Sequence, residues 1–294
     1  MQASIYIGTS GWSYPKGEGT WNGCFYPPGK INELEFYSQF FNTVEVNSSF
    51  YRPPDPGIVA SWVRRVPSGF LFAVKLWQKF THPAMYKEAT GETASISKED
   101  VEIFNRCLEP LVASRRLGAL LAQFPPSFRN DGHGKQVIGA LGRTFGQYPL
   151  AVELRHRSWS DDAATAQLLR QYNIAWVQID EPKFGSSIAA EVPLTADMAY
   201  FRFHGRNAAD WWTGNAETRY RYLYSAEEIA GLAEKVRKAA APTRLLFAFF
   251  NNHWKAYAPR NANDMKKALQ LSFQDIPVPL EIVQEAGEKK DRAG

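Results

Sequence analysis

Eight short apolar runs recur along this chain, separated by helical patterns or long loops, and almost every one ends in a charged or amide side chain. Strands that alternate with helices build parallel sheets, because a parallel neighbour can be reached only through a crossover connection. The runs cover residues 5–10, 43–46, 70–75, 117–124, 150–155, 174–180, 199–204 and 245–250. This count predicts an α/β fold, a single TIM-type (β/α)8 barrel with long loops at its C-terminal mouth. A chain of 294 residues suits one such barrel or two ordinary domains. With no internal repeat and no low-complexity linker, one domain over residues 1–274 is expected, followed by a partly disordered tail at 275–294.

The stretch Phe41 to Tyr51 shows how the pattern works. Side chains alternate across a strand, so Thr43, Glu45 and Asn47 share one face while Val44 and Val46 take the other. An apolar outer face and a polar inner face fit a barrel strand packed against helices, with Glu45 and Asn47 rising toward the mouth. Helix signals fall between the strands. Asn32 caps a helix through Phe41, Pro56 opens one through Arg65, and Ser97 with Asp100 forms a capping box for a helix to about Arg115. Further helices are expected at 134–145, from a cap at Ser160 or Asp161 to about Tyr172, from Ser225 to Ala240, and at 261–271. Residues 76–95 and 205–224 read as long loops, and loops of that length in compact domains tend to carry function.

The strand ends supply the candidate site. Glu45 and Asn47, Lys75, Gln123, Glu153 and Arg155, Asp180, His204 and Arg206, and Asn251 with Asn252 end successive strands, and a parallel barrel brings such positions to one rim. Alternation from Tyr200 to Arg206 also puts Arg202, His204 and Arg206 on one face. Charges in a barrel interior are costly unless paired, so any one of these residues could belong to a buried ion network. Taken together they point to chemistry. Glu45 and Glu153 are read as acid/base residues with His204, while Lys75, Arg155 and Arg206 would hold an anion. Gln123, Asn47, Asn251 and Asn252 would orient a substrate, and Trp12, Tyr220 and Tyr222 would supply aromatic walls. The tyrosines at 220, 222 and 224 could also form a short strand on the rim.

Composition narrows the partners. A net charge of +4 is too mild to demand nucleic acid but admits anionic ligands. Cys24 and Cys107 make no disulfide framework, no apolar run approaches a membrane span, and the N-terminus shows no secretory signal pattern. The expectation is a cytoplasmic protein with no membrane partner, its oligomeric state open. No His-x-x-x-His or Cys-x-x-Cys spacing, P-loop, dinucleotide-binding glycine fingerprint or serine elbow occurs.

Several segments carry a resemblance: Ile7 to Trp12, Phe25 to Pro27, Thr43 to Tyr51, Gln123 to Pro126, Ala151 to His156, Tyr200 to Gly205, and Asn251 to His253. Together they resemble the YecE-like family, domain of unknown function 72, nearly to Leu271. The resemblance implies a TIM-type barrel with a polar pocket at its C-terminal mouth.

Three functions compete. The first is a metal-independent or weakly metal-dependent enzyme using glutamate acid/base chemistry, as a hydrolase or isomerase, on a small anionic substrate that is sugar-like or phosphorylated; no cofactor is expected, and a divalent metal is left open. The second is a divalent-metal phosphoesterase or nuclease with Glu153, Asp180 and His204 as ligands. The third is a non-catalytic protein that binds nucleic acid or sugar through the aromatic and arginine-rich loop.

Overall fold

The computed structural model describes residues 3–94, 96–215 and 218–276, so nearly all of the expected tail lies outside the described residues. Strands β1 (Ser4–Thr9), β2 (Thr43–Val46), β3 (Leu71–Lys75), β4 (Leu117–Gln123) and β5 (Leu150–Glu153) fall where the apolar runs predict. The expected sixth strand is two strands, β6 (Ile174–Trp176) and β7 (Gln178–Asp180), followed by β8 (Met198–Phe203) and β9 (Leu245–Phe250). They form a four-stranded sheet, β1-β9-β8-β7, and a five-stranded sheet, β2-β3-β4-β5-β6. Every ladder is parallel.

Two junctions relate the sheets. At one, the chain passes from β6 to β7 through Val177, whose N–H donates to the Val152 carbonyl. One continuous run therefore belongs to both sheets. At the other, β1 and β2 share a single bridge, Ser10 with Glu45, and the Gly11 N–H donates to the Glu45 carbonyl at 2.8 Å. Below that bridge a side chain replaces the missing ladder. The Tyr37 hydroxyl accepts from the Thr9 N–H at 3.0 Å and donates to the Thr43 carbonyl at 3.0 Å. Backbones run so close here that a Cβ at Gly8 would strike the Thr43 carbonyl oxygen.

The lower interior is aromatic. Phe247 packs against Tyr6 and Tyr200 with ring centroids 5.3 and 6.1 Å away, and Phe249 stacks beside it. A Cβ at Gly118 of β4 would meet the Phe247 ring at 2.6 Å, so glycine there makes room for a side chain from the other sheet.

The outer helices follow the sequence signals with several differences. Asn32 caps a helix over Glu33–Tyr37 only, and Pro56–Arg65 forms as expected. The Ser97–Asp100 capping box opens Lys98–Ala113, and a Ser225–Glu228 box opens Ala226–Ala240. The segment 76–95 contains two short helices, Gln78–Thr81 and Pro83–Thr90. Pro83 sets the first turn of the second, and Gly91, at φ 76°, ends it in the left-handed region. His156 caps a short helix, Arg157–Ser160, and the Asp162 carboxylate accepts from the Ala164 N–H to start Ala164–Gln171. The last helix, Tyr257–Ala268, starts four residues earlier than Asn261. Tyr220 ends a 3-10 turn at Thr218–Tyr220, and no strand forms through Tyr224. No helix among the described residues is long and apolar enough to cross a membrane.

Replacing Tyr37 by Phe would leave the buried Thr9 N–H and Thr43 carbonyl without that partner. An unsatisfied buried group costs about 1–3 kcal/mol, so Y37F should lower the urea midpoint accordingly. A variant as stable as the parent would mean that the β1–β2 junction closes without the hydroxyl.

Candidate active site

The polar strand ends converge above the aromatic layer, and Arg202 stands at their centre. It extends from β8 in one sheet and reaches three residues of the other. Its Nε and Nη2 donate to the two oxygens of Glu45 at 3.0 and 2.7 Å, a bidentate pair. Its Nη1 donates to Glu153 Oε2 at 2.6 Å and to Gln123 Oε1 at 3.0 Å. The Tyr200 hydroxyl donates to Glu45 at 2.7 Å, and the Asn47 amide donates to it at 3.2 Å. Arg155 donates from Nε to the second oxygen of Glu153 at 2.7 Å.

Both glutamates and Arg202 are almost wholly excluded from solvent. Burial pushes the Glu45 carboxyl up, but Arg202 and the Tyr200 hydroxyl outweigh it and hold the group below its ordinary range. Burial opposes ionisation of Glu153 too, and Arg202 with Arg155 takes it well below that range. Both are fixed carboxylates whose oxygens are already engaged. They form an electrostatic floor, and neither has the raised proton affinity that a general acid needs.

Above this floor lies a cavity of about 530 Å³, lined by Trp12, Tyr14, Asn47, Lys75, Gln123, Arg202, Tyr220, Asn251 and His253 among others. Tyr14 stacks on His253 with centroids 4.6 Å apart, and Tyr220 leans on the same imidazole at 5.2 Å. Such a wall suits the apolar face of a sugar ring. Lys75 is the cation that the floor does not claim. Its Nζ sits 4.0 Å above the centre of the Phe50 ring and makes no ion pair with a carboxylate among the described residues. Burial, reinforced by Arg202, lowers its pKa from 10.5 to about 7 against the pull of Glu153 and Glu45.

His204 is buried and neutral. Burial, with Arg202 nearby, takes its pKa down to about 4. The Asn251 amide donates to its Nδ1 at 2.9 Å, and its Nε2 lies 3.7 Å from Glu153. Asn251 therefore serves both the cavity and the histidine.

Other expected members lie apart. Arg206 is paired with the Asp180 carboxylate at 2.8 and 2.9 Å and with Glu228 at 2.8 Å, so its charge is already compensated. Asp180 also accepts from the Tyr224 hydroxyl. The trio Glu153, Asp180 and His204 is thus not assembled, and no group of three metal-ligating side chains occurs among the described residues. Tyr222 donates to Glu228, and Asn252, fully buried, joins the Tyr222 carbonyl to Asn261. These two brace the loop after β8.

Arg202 escaped selection from the sequence although alternation put it on the inner face with His204. Glu181 escaped as well, one residue past β7. It is buried, its Oε2 accepts no hydrogen bond among the described residues, and it lies 3.4 Å from Arg155 Nη1. Burial raises its pKa despite Arg155, the opposite direction to Glu45 and Glu153.

The site can now be set beside known proteins. Residues 6–285 match the family described as protein of unknown function DUF72. The chain belongs to that family. Among curated proteins, YunF of Bacillus subtilis is 29% identical over 285 residues, covering 92% of this chain and 97% of YunF. YecE of Escherichia coli K12 is 29% identical over 156 residues, covering 52% of this chain and 48% of YecE. A DUF72 protein of Thermotoga maritima, solved as a crystal structure, superposes with a TM-score of 0.78 at 37% identity, covering 90% of this chain and 99% of that one. One from Enterococcus faecalis gives 0.79 at 28% identity, covering 94% and 99%. The parallel α/β architecture is therefore shared with these two DUF72 proteins.

The floor has a pH signature. Depressed carboxylate pKa values contribute stability above the unfolded pKa, and that contribution is lost as pH falls through the folded one. Replacing Arg202 by Met would leave two buried carboxylates short of their main counter-charge, at a cost of about 3–5 kcal/mol near neutrality. Their pKa values would then rise, so the deficit of R202M should narrow on acidification. Urea unfolding at several pH values reads this directly, and a deficit that ignores pH would show that Arg202 acts through packing.

Proposed function

We propose that the mouth cavity binds a small anionic, sugar-like substrate and acts on it as an isomerase or hydrolase, with Lys75 at its reactive end. The observation that carries this reading is Lys75, a cation without a carboxylate partner among the described residues, in a cavity otherwise walled by amides, aromatic rings and a neutralised arginine. An anion entering would meet the charge that the protein leaves uncompensated. Asn47, Gln123 and Asn251 would receive the hydroxyl groups, and Trp12, Tyr14 and Tyr220 would receive the ring face.

Glu45 and Glu153 keep the floor in place, and the proton-transfer role first read for them passes to Lys75. The two sheets read as a single (β/α)8 barrel whose sixth strand is the broken run 174–180 and whose first and second strands are joined by Tyr37. Cys24 and Cys107, too few for a disulfide framework, suit a reducing compartment such as the cytoplasm.

Thermal melting against a panel of sugar phosphates and sugar acids tests the reading. A ligand that binds the native state raises the melting point by mass action. The wild type should shift with at least one member, and Lys75→Met should lose the shift. K75M should itself fold well. At about pH 6 the native state bears the cost of a buried ammonium that the unfolded chain does not, so removing it should leave stability equal or higher. A panel that moves neither protein, or moves both alike, would overturn the proposal.

A further inference from the structure

We propose that Lys75 is a nucleophile that condenses with an aldehyde or ketone of the substrate to form a protein-bound imine. This deepens the reading of the same cavity and rests on it.

The geometry equips Lys75 for addition more fully than for simple anion holding. Its Nζ lies over the face of Phe50 instead of against a carboxylate, so no salt bridge to a described residue ties up the amine. Its backbone carbonyl accepts from the Ser49 hydroxyl at 2.7 Å, which fixes the strand end that aims the side chain. An amine that is desolvated by burial and opposed by another cation is the standard route to a lysine that is neutral near pH 7, while the Phe50 face itself favours the ammonium.

The charged groups acting on it are Arg202 and Arg155, which favour the neutral amine, and Glu153 and Glu45, which oppose them. His82 lies close enough to feel Lys75, and burial holds that imidazole neutral, with a pKa of about 4. The floor glutamates are locked to arginine, so the amine faces a site whose negative charge is already spoken for.

The step balances without a co-reactant. The Nζ lone pair adds to the carbonyl carbon, a C–N bond forms, and the carbonyl electron pair moves to oxygen. A proton passes from nitrogen to that oxygen, giving a carbinolamine. The carbinolamine hydroxyl then takes a proton from solvent and leaves as water, breaking the C–O bond as the nitrogen lone pair forms C=N; this gives the iminium directly, and it acidifies the neighbouring C–H. Water reverses every stage. An iminium of this kind supports isomerisation and cleavage or formation of the adjacent C–C bond, which simple anion binding does not.

Borohydride trapping decides the matter. The full-length protein is incubated with dihydroxyacetone phosphate or with pyruvate, quenched with borohydride, digested and mapped by mass spectrometry. The expected result is one reduced adduct per chain, on the peptide containing Lys75, with labelling that rises as pH passes through about 7. Exposed Lys135 serves as an internal control in the same digest and should stay unlabelled. K75M should give no adduct, and the wild-type peptide map stands without that variant. Labelling spread over surface lysines, or none at Lys75 with either carbonyl compound, overturns the imine. If borohydride traps nothing while K75M still loses the sugar-phosphate melting shift, Lys75 is an anion anchor and only this inference fails. If the melting shift is also absent in the wild type, the reading of the cavity fails with it.

Discussion

One guanidinium holds this interior together. Arg202 comes from the four-stranded sheet and binds Glu45, Gln123 and Glu153, all from the five-stranded sheet. Where the sheets share only a broken strand on one side and a single bridge on the other, this contact ties them through the middle. Buried ion networks rarely add net stability over well-packed apolar groups, but they penalise every arrangement in which a member loses its partner. Such a network suits a site more than a core. It keeps two carboxylates ionised and hydrogen-bonded beneath a cavity and screens the field that Lys75 feels. The aromatic layer below, centred on Phe247, supplies the ordinary packing that the charges cannot.

The fold was largely legible because a parallel α/β chain writes its strands as short apolar runs and its helices as caps. Capping boxes at Ser97 and Ser225 and the proline at Pro56 fell where the helices begin. What period-two alternation could not show was continuity. Nothing in Ile174 to Asp180 marks Val177 as the point where hydrogen bonding changes from one sheet to the other. The polar composition of 76–95 likewise concealed two short helices whose start and stop depend on Pro83 and Gly91.

For the site, alternation gave the face of a residue and not its partner. Glu45, Glu153, Lys75, Gln123, Asn47 and Asn251 do gather at the strand ends. Arg206 shares their face by sequence, yet Asp180 and Glu228, 26 and 22 residues away, neutralise it. Tyr37 lay inside the helix expected from Asn32 to Phe41 with nothing to single it out, although its hydroxyl substitutes for a ladder. These assignments depend on contacts between distant segments, and a single chain of letters carries no record of them.

The pairing of β1 sets the order in which the molecule can be completed. Its ladder partner is β9, with Ser4 opposite Leu245 and Thr9 opposite Phe250. The strands of the five-stranded sheet are all made between these two, so that sheet can assemble while the first strand still lacks its ladder. Long-range parallel pairing of this kind is intrinsically slow. The loop carrying Trp12 and Tyr14 hangs from β1, as does one side of the Tyr37 junction. On the ribosome, then, β1 cannot complete its ladder until β9 has emerged, and a chain cut short before β9 would lack the partner of the strand from which one wall of the cavity hangs.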